Sequence, residues 1–222
     1  MTGLRERKKR ETRLALSQAT IRLVIERGWE QVSVEDIAAA ANVSERTFRN
    51  YFASKAEAVA ASHLERALVV ADELRAQPAS EPLWPSVFAA ASKSLRAGGS
   101  EAAGPGRESE SASSGVGGGA SPRDEAYMAR VKLVLAHPSL HAELLRADDI
   151  AKEELAAAIA ERLGLDVERD LFPRLAASVS AAAIATAMRH WMVNDPTGSV
   201  IEVLERAFTE IGRGLPVPEG ES

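Results

Sequence analysis

An all-α chain is predicted, with a three-helix helix-turn-helix head and a larger helical domain behind it. Three observations lead there. No alternating run of β-branched residues occurs in the 222 residues, so strands are not expected. Alanine is abundant, and apolar residues recur at i, i+3, i+4 spacing through most of the chain, which is helical patterning. Residues 33–55, SVEDIAAAANVSERTFRNYFASK, place two short helical patterns on either side of a single Asn.

The first helix is expected from about Arg5 to Arg27, with Leu16, Ala19, Thr20, Leu23 and Val24 on one face and Gly28 closing it. Trp29 reads as core at the junction. Arg5, Arg7, Lys8, Lys9, Arg10 and Arg13 precede that face with no apolar stretch behind them, so this is no secretory signal. A basic arm beside a DNA backbone and a solvated tail both fit them.

Ser33 offers an N-cap for a second helix, with Glu35 and Asp36 at its positive end and Val34, Ile37, Ala38 and Ala41 on its apolar face. Asn42 tolerates the left-handed backbone of a tight turn. Val43 should pack inward, and Ser44 caps a third helix whose apolar residues are Phe48, Tyr51 and Phe52. Glu45, Arg46, Thr47, Arg49 and Asn50 are left to face outward. Arg pairs with guanine edges and Asn with adenine, whereas Thr, Tyr and Lys commonly hold phosphates. A solvated polar face on an ordinary helix fits the same residues taken singly.

Gly28-Trp29, Ser33-Val34, Ile37-Ala38, Ala41-Asn42-Val43-Ser44, Thr47-Phe48, Phe52 and Ser54-Lys55 stand in an order that resembles the N-terminal domain of the TetR family of transcriptional repressors. The resemblance implies a DNA-binding head, a larger helical effector and dimerisation domain, and a homodimer on a palindromic double-stranded operator. By matching position, Glu45, Arg46, Arg49 and Asn50 lie where that family reads bases. Ser33, Ser44, Thr47, Tyr51 and Lys55 lie where it holds phosphates. Asn42 stands where the family usually has Gly, and Arg49 where it often has Tyr, so the operator is not transferable from relatives.

Net charge is −5, yet residues 1–55 hold 11 Lys+Arg against 7 Asp+Glu, or +4, leaving 16 against 25, or −9, for the remainder. A basic head on an acidic body suits specific over indiscriminate DNA contact. Cysteine is absent, which excludes disulfides and thiolate metal sites.

Ser54 is expected to cap a fourth helix from Lys55 to about Ala76, with His63 at the core boundary, and Pro78 to stop it. The expected division is therefore a head of residues 1–54 and a body of 55–215. Pro82 and Pro85 introduce a fifth helix carrying Trp84, Val87, Phe88, Ala91 and Leu95. Residues 98–122, GGSEAAGPGRESESASSGVGGGASP, have too few apolar side chains to offset the entropy of ordering, so a disordered insertion is expected. A helix should resume at Arg123. A short one through Leu140, Leu144 and Leu145 and a longer one from Ile150 to a stop at Gly164 should follow. His137 and His141 are four apart but flank Pro138 without a paired carboxylate, so no metal is expected.

Residues 172–192 form an Ala-rich helix, without charge between Arg174 and Arg189, which is too short an interval for a membrane span. It is expected to be buried all round, with Ala177, Ala181 and Ala185 permitting close approach. The last helix runs from about Thr197 to Arg213. By the resemblance these two helices build the dimer, with Ala181, Ala185 and Phe208 meeting the second subunit. The stretch FPRLAASVSAAAIATAMRHW is also similar to an actinobacterial branch that includes the mycofactocin-system regulator, associated with acyl-CoA-like effectors. Trp84, Phe88, Tyr127, Met128, Phe172, Met188 and Trp191, scattered among alanines, are expected to line an apolar effector pocket, with His190 and Arg130 at a polar end. Simple core packing accounts for any one of them.

A ligand-responsive, cytoplasmic, dimeric repressor without cofactor or membrane partner is the leading expectation. Two others stand beside it. An enzyme finds no support in paired carboxylates, metal spacing, a Ser elbow or a dinucleotide fingerprint. A DNA-binding architectural or adaptor protein without an effector would have a solidly filled body.

Overall fold

The computed structural model describes residues 2–101, 137–194 and 198–215. Among these residues there are eight helices and no strand, as expected: α1 Thr2–Arg27, α2 Val34–Ala40, α3 Glu45–Tyr51, α4 Lys55–Ala76, α5 Leu83–Glu101, α6 Pro138–Leu163, α7 Leu171–Asn194 and α8 Val200–Gly212.

The helix ends follow local chemistry. Gly28 stands at φ +86 and Gly164 at φ +66, the left-handed conformation that closes α1 and α6. Ser33 accepts from the Asp36 amide at 3.0 Å while Asp36 accepts from the Ser33 amide at 2.9 Å, a reciprocal cap on α2. Ser54 accepts from the Glu57 amide at 3.0 Å at the start of α4. Ser199 caps α8.

Three helix bounds differ from those expected. Helix α1 begins at Thr2, three residues before the expected start, so the basic run lies in its opening turns. Helix α5 continues to Glu101, through the first residues of the expected insertion; residues 102–122, and the helix expected from Arg123, lie outside the described residues. The two helices expected on either side of Arg146 are one, α6, because the intervening Arg146-Ala147-Asp148-Asp149 contains neither Gly nor Pro and Ala147 is buried. Within one chain, helix α7 is packed on one face. Pro173, Ala176, Ala177, Ser180, Ala183 and Ala187 are buried, whereas Leu171 is 77% exposed, Leu175 51% and Val193 75%. Its 24 residues are long and apolar enough to cross a membrane by composition.

Two compact units emerge among the described residues, 2–65 with 137–150 and 66–101 with 151–194 and 198–215. The core of the first joins Leu16, Leu23 and Val24 of α1, Ile37 and Ala38 of α2, Phe48 of α3, Phe52, and Ala58 of α4. The core of the second joins Leu74 of α4, Val87 and Ala91 of α5, Leu155 and Ile159 of α6, Ala177 of α7, and Leu204 and Phe208 of α8. Within it α8 packs on both α7 and α5.

Candidate nucleic-acid interface

The α2–turn–α3 geometry is fixed from within. Asn42 takes φ +54, and the Val43 amide donates to the Ala38 carbonyl at 2.9 Å across the turn. Val43 packs against the head core. Ser44 accepts from the Thr47 amide at 3.1 Å and so starts α3. Phe48 and Phe52 are each 1% exposed, and their rings meet at 5.6 Å. Burying each stabilises the head by roughly 1.5–3 kcal/mol and orients α3.

With that face buried, Glu45, Arg46, Arg49 and Asn50 are all exposed on the other. Arg49 donates to Glu45 at 3.5 Å, a one-turn pair that leaves both side chains accessible. Thr47 is half-buried, with its hydroxyl 2.9 Å from that of Ser44. The structure thus brings the four expected base readers onto one outward surface.

The expected phosphate holders divide. Ser33, Ser44 and Thr47 lie at helix starts, where their hydroxyls also serve the caps. Tyr51 is half-buried against the head core. Lys55 is engaged within the head: its ammonium donates to the carbonyls of Trp29 and Val32 and sits over the Trp29 ring, so its charge is turned inward. Burial lowers its pKa, and Glu30 opposes that shift. In the basic N-terminus Arg10 pairs with Glu65 at 2.8 Å and Arg13 reaches Tyr51, whereas Lys8 and Lys9 are exposed. Asp36 is held below the usual carboxylate range by its bonds to the Ser33 hydroxyl and amide and by nearby Arg27. Residue periodicity gave no signal for Arg13 or for the inward turn of Lys55.

A segment of net charge +4 over residues 1–55 that presents Arg, Arg and Asn from a short helix behind a tight turn has the shape of a major-groove reader. Residues 16–61 match the family model for bacterial regulatory proteins of the tetR family, and residues 116–216 match the MftR C-terminal domain. The HTH-type transcriptional regulator TcmR of Streptomyces glaucescens is 35% identical over 208 residues, covering 93% of this chain and 83% of that protein. The chain belongs to the TetR family of transcriptional regulators. The fold of this TetR-family regulator is also found in a Mesorhizobium loti structure assigned to the family, at TM-score 0.54 and 17% identity over 93% of this chain and 96% of that one. Thermus thermophilus FadR, a TetR-family repressor solved with lauroyl-CoA, matches at TM-score 0.54 and 19% identity over 95% and 98%.

In the body of the TetR-family chain the expected effector residues do not converge. Tyr127, Met128 and Arg130 lie outside the described residues. Trp84 and Phe88 of α5 pack on the body core, Phe88 meeting Phe208 at 6.3 Å. Phe172 is 43% exposed near the start of α7. Met188 and Trp191 are half-buried near its end, where the Trp191 indole donates to the Gly198 carbonyl at 2.9 Å. At 1.5 Å per residue, Phe172 and Trp191 are about 28 Å apart along one helix, too far to share a small pocket. His190 is exposed beside Asn194. A surface groove of about 610 Å³ follows the outer side of α8, lined by Glu202, Glu205, Arg206, Glu210 and Arg213; it is polar, unlike the expected cavity.

Of the expected interface, Ala185 is exposed and Ala181 half-buried. Phe208 is 4% exposed and its ring belongs to the chain's own core. Among the described residues no three His, Asp or Glu are placed to hold a metal, and His137 stacks on Trp29 at 4.9 Å.

Proposed function

We propose that this TetR-family chain is a homodimeric, cytoplasmic, ligand-responsive repressor that reads an inverted repeat through α3. The observation that carries this is the outward face of Glu45, Arg46, Arg49 and Asn50, held opposite the buried Phe48 and Phe52. Residues 1–54 read DNA, with Ser33, Ser44, Thr47 and Tyr51 beside phosphates. Residues 55–215 bind the effector and dimerise, with 102–122 dispensable to both. It is a binding protein and catalyses nothing in this reading.

Two copies meet through the exposed face of α7 around Ala181 and Ala185. The effector is apolar and of acyl type. The match of residues 116–216 to the MftR C-terminal domain supports that class, and the lauroyl-CoA bound by FadR names the first compound to test. Ser92 of α5 supplies a buried hydroxyl, 5% exposed and without a hydrogen-bond partner, that the sequence did not flag. A ligand releases DNA only by binding better to a conformation in which the two heads are wrongly spaced, and α4 is the lever.

Thermal shift with fatty acids and acyl-CoAs, run beside a DNA mobility-shift assay, tests this. The expected hit both raises the melting temperature and frees the operator. Hits confined to small polar metabolites sink the acyl assignment. The packing of Trp84 and Phe88 into the core favours one alternative, a DNA-binding adaptor without an effector. Operator binding that no ligand alters would establish it.

A further inference from the structure

Arg13 ends the basic run of the N-terminus, where its charge alone marks it as a DNA-backbone contact. The structure gives it other work. Its guanidinium carbon lies 4.7 Å from the centre of the Phe52 ring. Its Nη1 donates to the Tyr51 carbonyl at 3.3 Å, and its Nη2 lies 4.0 Å from the Glu57 carboxylate. The side chain is only 28% exposed. Glu57 in turn accepts from the Ala53 amide at 2.7 Å. One side chain of α1 therefore ties together the last residue of α3, its C-cap and the first turn of α4.

Helix α3 has seven residues, too few to hold itself in water. Phe48 and Phe52 fix its inner face. Its last carbonyls have no intrahelical donor, and a cation at that end is favourable. Arg49 and Asn50 directly precede Tyr51. Any fraying of that last turn displaces both.

We propose that Arg13 is a positioning residue for the recognition helix, acting on base reading through Tyr51, Phe52 and Glu57 and not through a phosphate. A planar guanidinium stacks on a ring and forks to two acceptors at once; a Lys ammonium keeps the charge without that geometry. The inference rests on the DNA-reading role of α3 proposed above.

The test compares wild type with Arg13→Lys, Arg13→Gln and the exposed control Lys9→Gln. Affinity is measured for a selected inverted-repeat duplex and a scrambled duplex across a salt series, at temperatures where circular dichroism shows each protein folded. Arg13→Lys is expected to fold even if Arg13→Gln does not. Both Arg13 variants should lose about tenfold or more on the selected duplex, little on the scrambled one, and keep the wild-type salt slope. Amide exchange in residues 49–53 of the free variants should also quicken. A salt slope reduced by about one on both duplexes, with the preference ratio retained, would make Arg13 a phosphate contact and overturn the proposal. So would full rescue by Lys, or wild-type behaviour of both variants. Wild-type protein that distinguishes no duplex would instead overturn the DNA-reading role itself.

Discussion

Lys55 holds its ammonium 4.5 Å from the centre of the Trp29 ring and donates to the Trp29 carbonyl. A second donation, at 2.8 Å, reaches the carbonyl of Val32. The first residue of α4 thereby closes the loop between α1 and α2, whose carbonyls no helix satisfies. Lys55→Ala should destabilise the head by on the order of 1–3 kcal/mol, since hydrogen bonds to a charged group are lost. Urea unfolding followed by circular dichroism reads this. The salt dependence of DNA affinity should stay at the wild-type slope; a slope smaller by about one would return Lys55 to the phosphates.

Arg162 of α6 plays a comparable part in the body. It donates to the carbonyls of Pro78 at 2.6 Å, Glu81 at 2.9 Å and Gln77 at 3.3 Å, and to the Ser86 hydroxyl at 2.8 Å. These groups lie in the connection from α4 to α5 and in the first turn of α5. Arg162→Met should cost about 2–4 kcal/mol, because several acceptors lose a charged donor together. Equilibrium unfolding of the purified variant measures it, and a change below about 0.5 kcal/mol would show that water replaces the guanidinium without penalty.

Asp36 sets an acid limit for the head. Its carboxyl is held below the ordinary value of 3.8 in the folded chain, first by the Ser33 hydroxyl, then by the Ser33 amide and Arg27. A depressed folded pKa means that the contribution is complete above the unfolded value and is lost as pH falls through the folded one. Wild type should therefore exceed Asp36→Asn in melting temperature at neutral pH, and the gap should close as acid protonates the carboxylate, below the ordinary value of 3.8. A gap independent of pH would assign the effect to shape and not to charge.

The parts of the fold that were legible in the sequence are those with local causes. Gly28, Asn42, Ser33 and Ser44 each place a helix end through their own backbone or a partner within three residues. The face of α3 followed from Phe48, Phe52 and the polar residues between them. What was hidden depends on contacts distant in sequence. Lys55 and Arg13 looked like DNA contacts because charge is visible in a sequence and an acceptor 23 or 38 residues away is not. For Phe208 and the outer side of α7 the limit is related: period alone gives a helix an apolar face without saying whether its own chain or a second copy covers it. The dispersed aromatics of the body were grouped by type, although Phe172 and Trp191 stand at opposite ends of α7.

The exposed face of α7 bears on assembly. Ala185 is exposed, with Leu175 51% and Val193 75% exposed along the same helix, and small residues here allow close helix packing. Ala185→Arg should sediment as a folded monomer, because it would place an unpaired charge in that contact. Phe208→Ala should mainly lower stability, by about 3–5 kcal/mol, as loss of a core aromatic does. A variant Ala185→Arg that remains a dimer would move the interface to another surface.

Selection of bound duplexes from random DNA, with wild type and with Arg46→Ala and Arg49→Ala, tests the central claim most directly. Wild type should enrich an inverted repeat with half-sites about one helical turn apart, as two α3 helices in a symmetric dimer require. Each Arg variant should relax preference at its own base pairs, by roughly 1–3 kcal/mol, and leave the rest of the repeat intact. No enriched sequence, or a uniform loss of affinity for every sequence in both variants, would contradict the assignment of α3 as the reader of DNA.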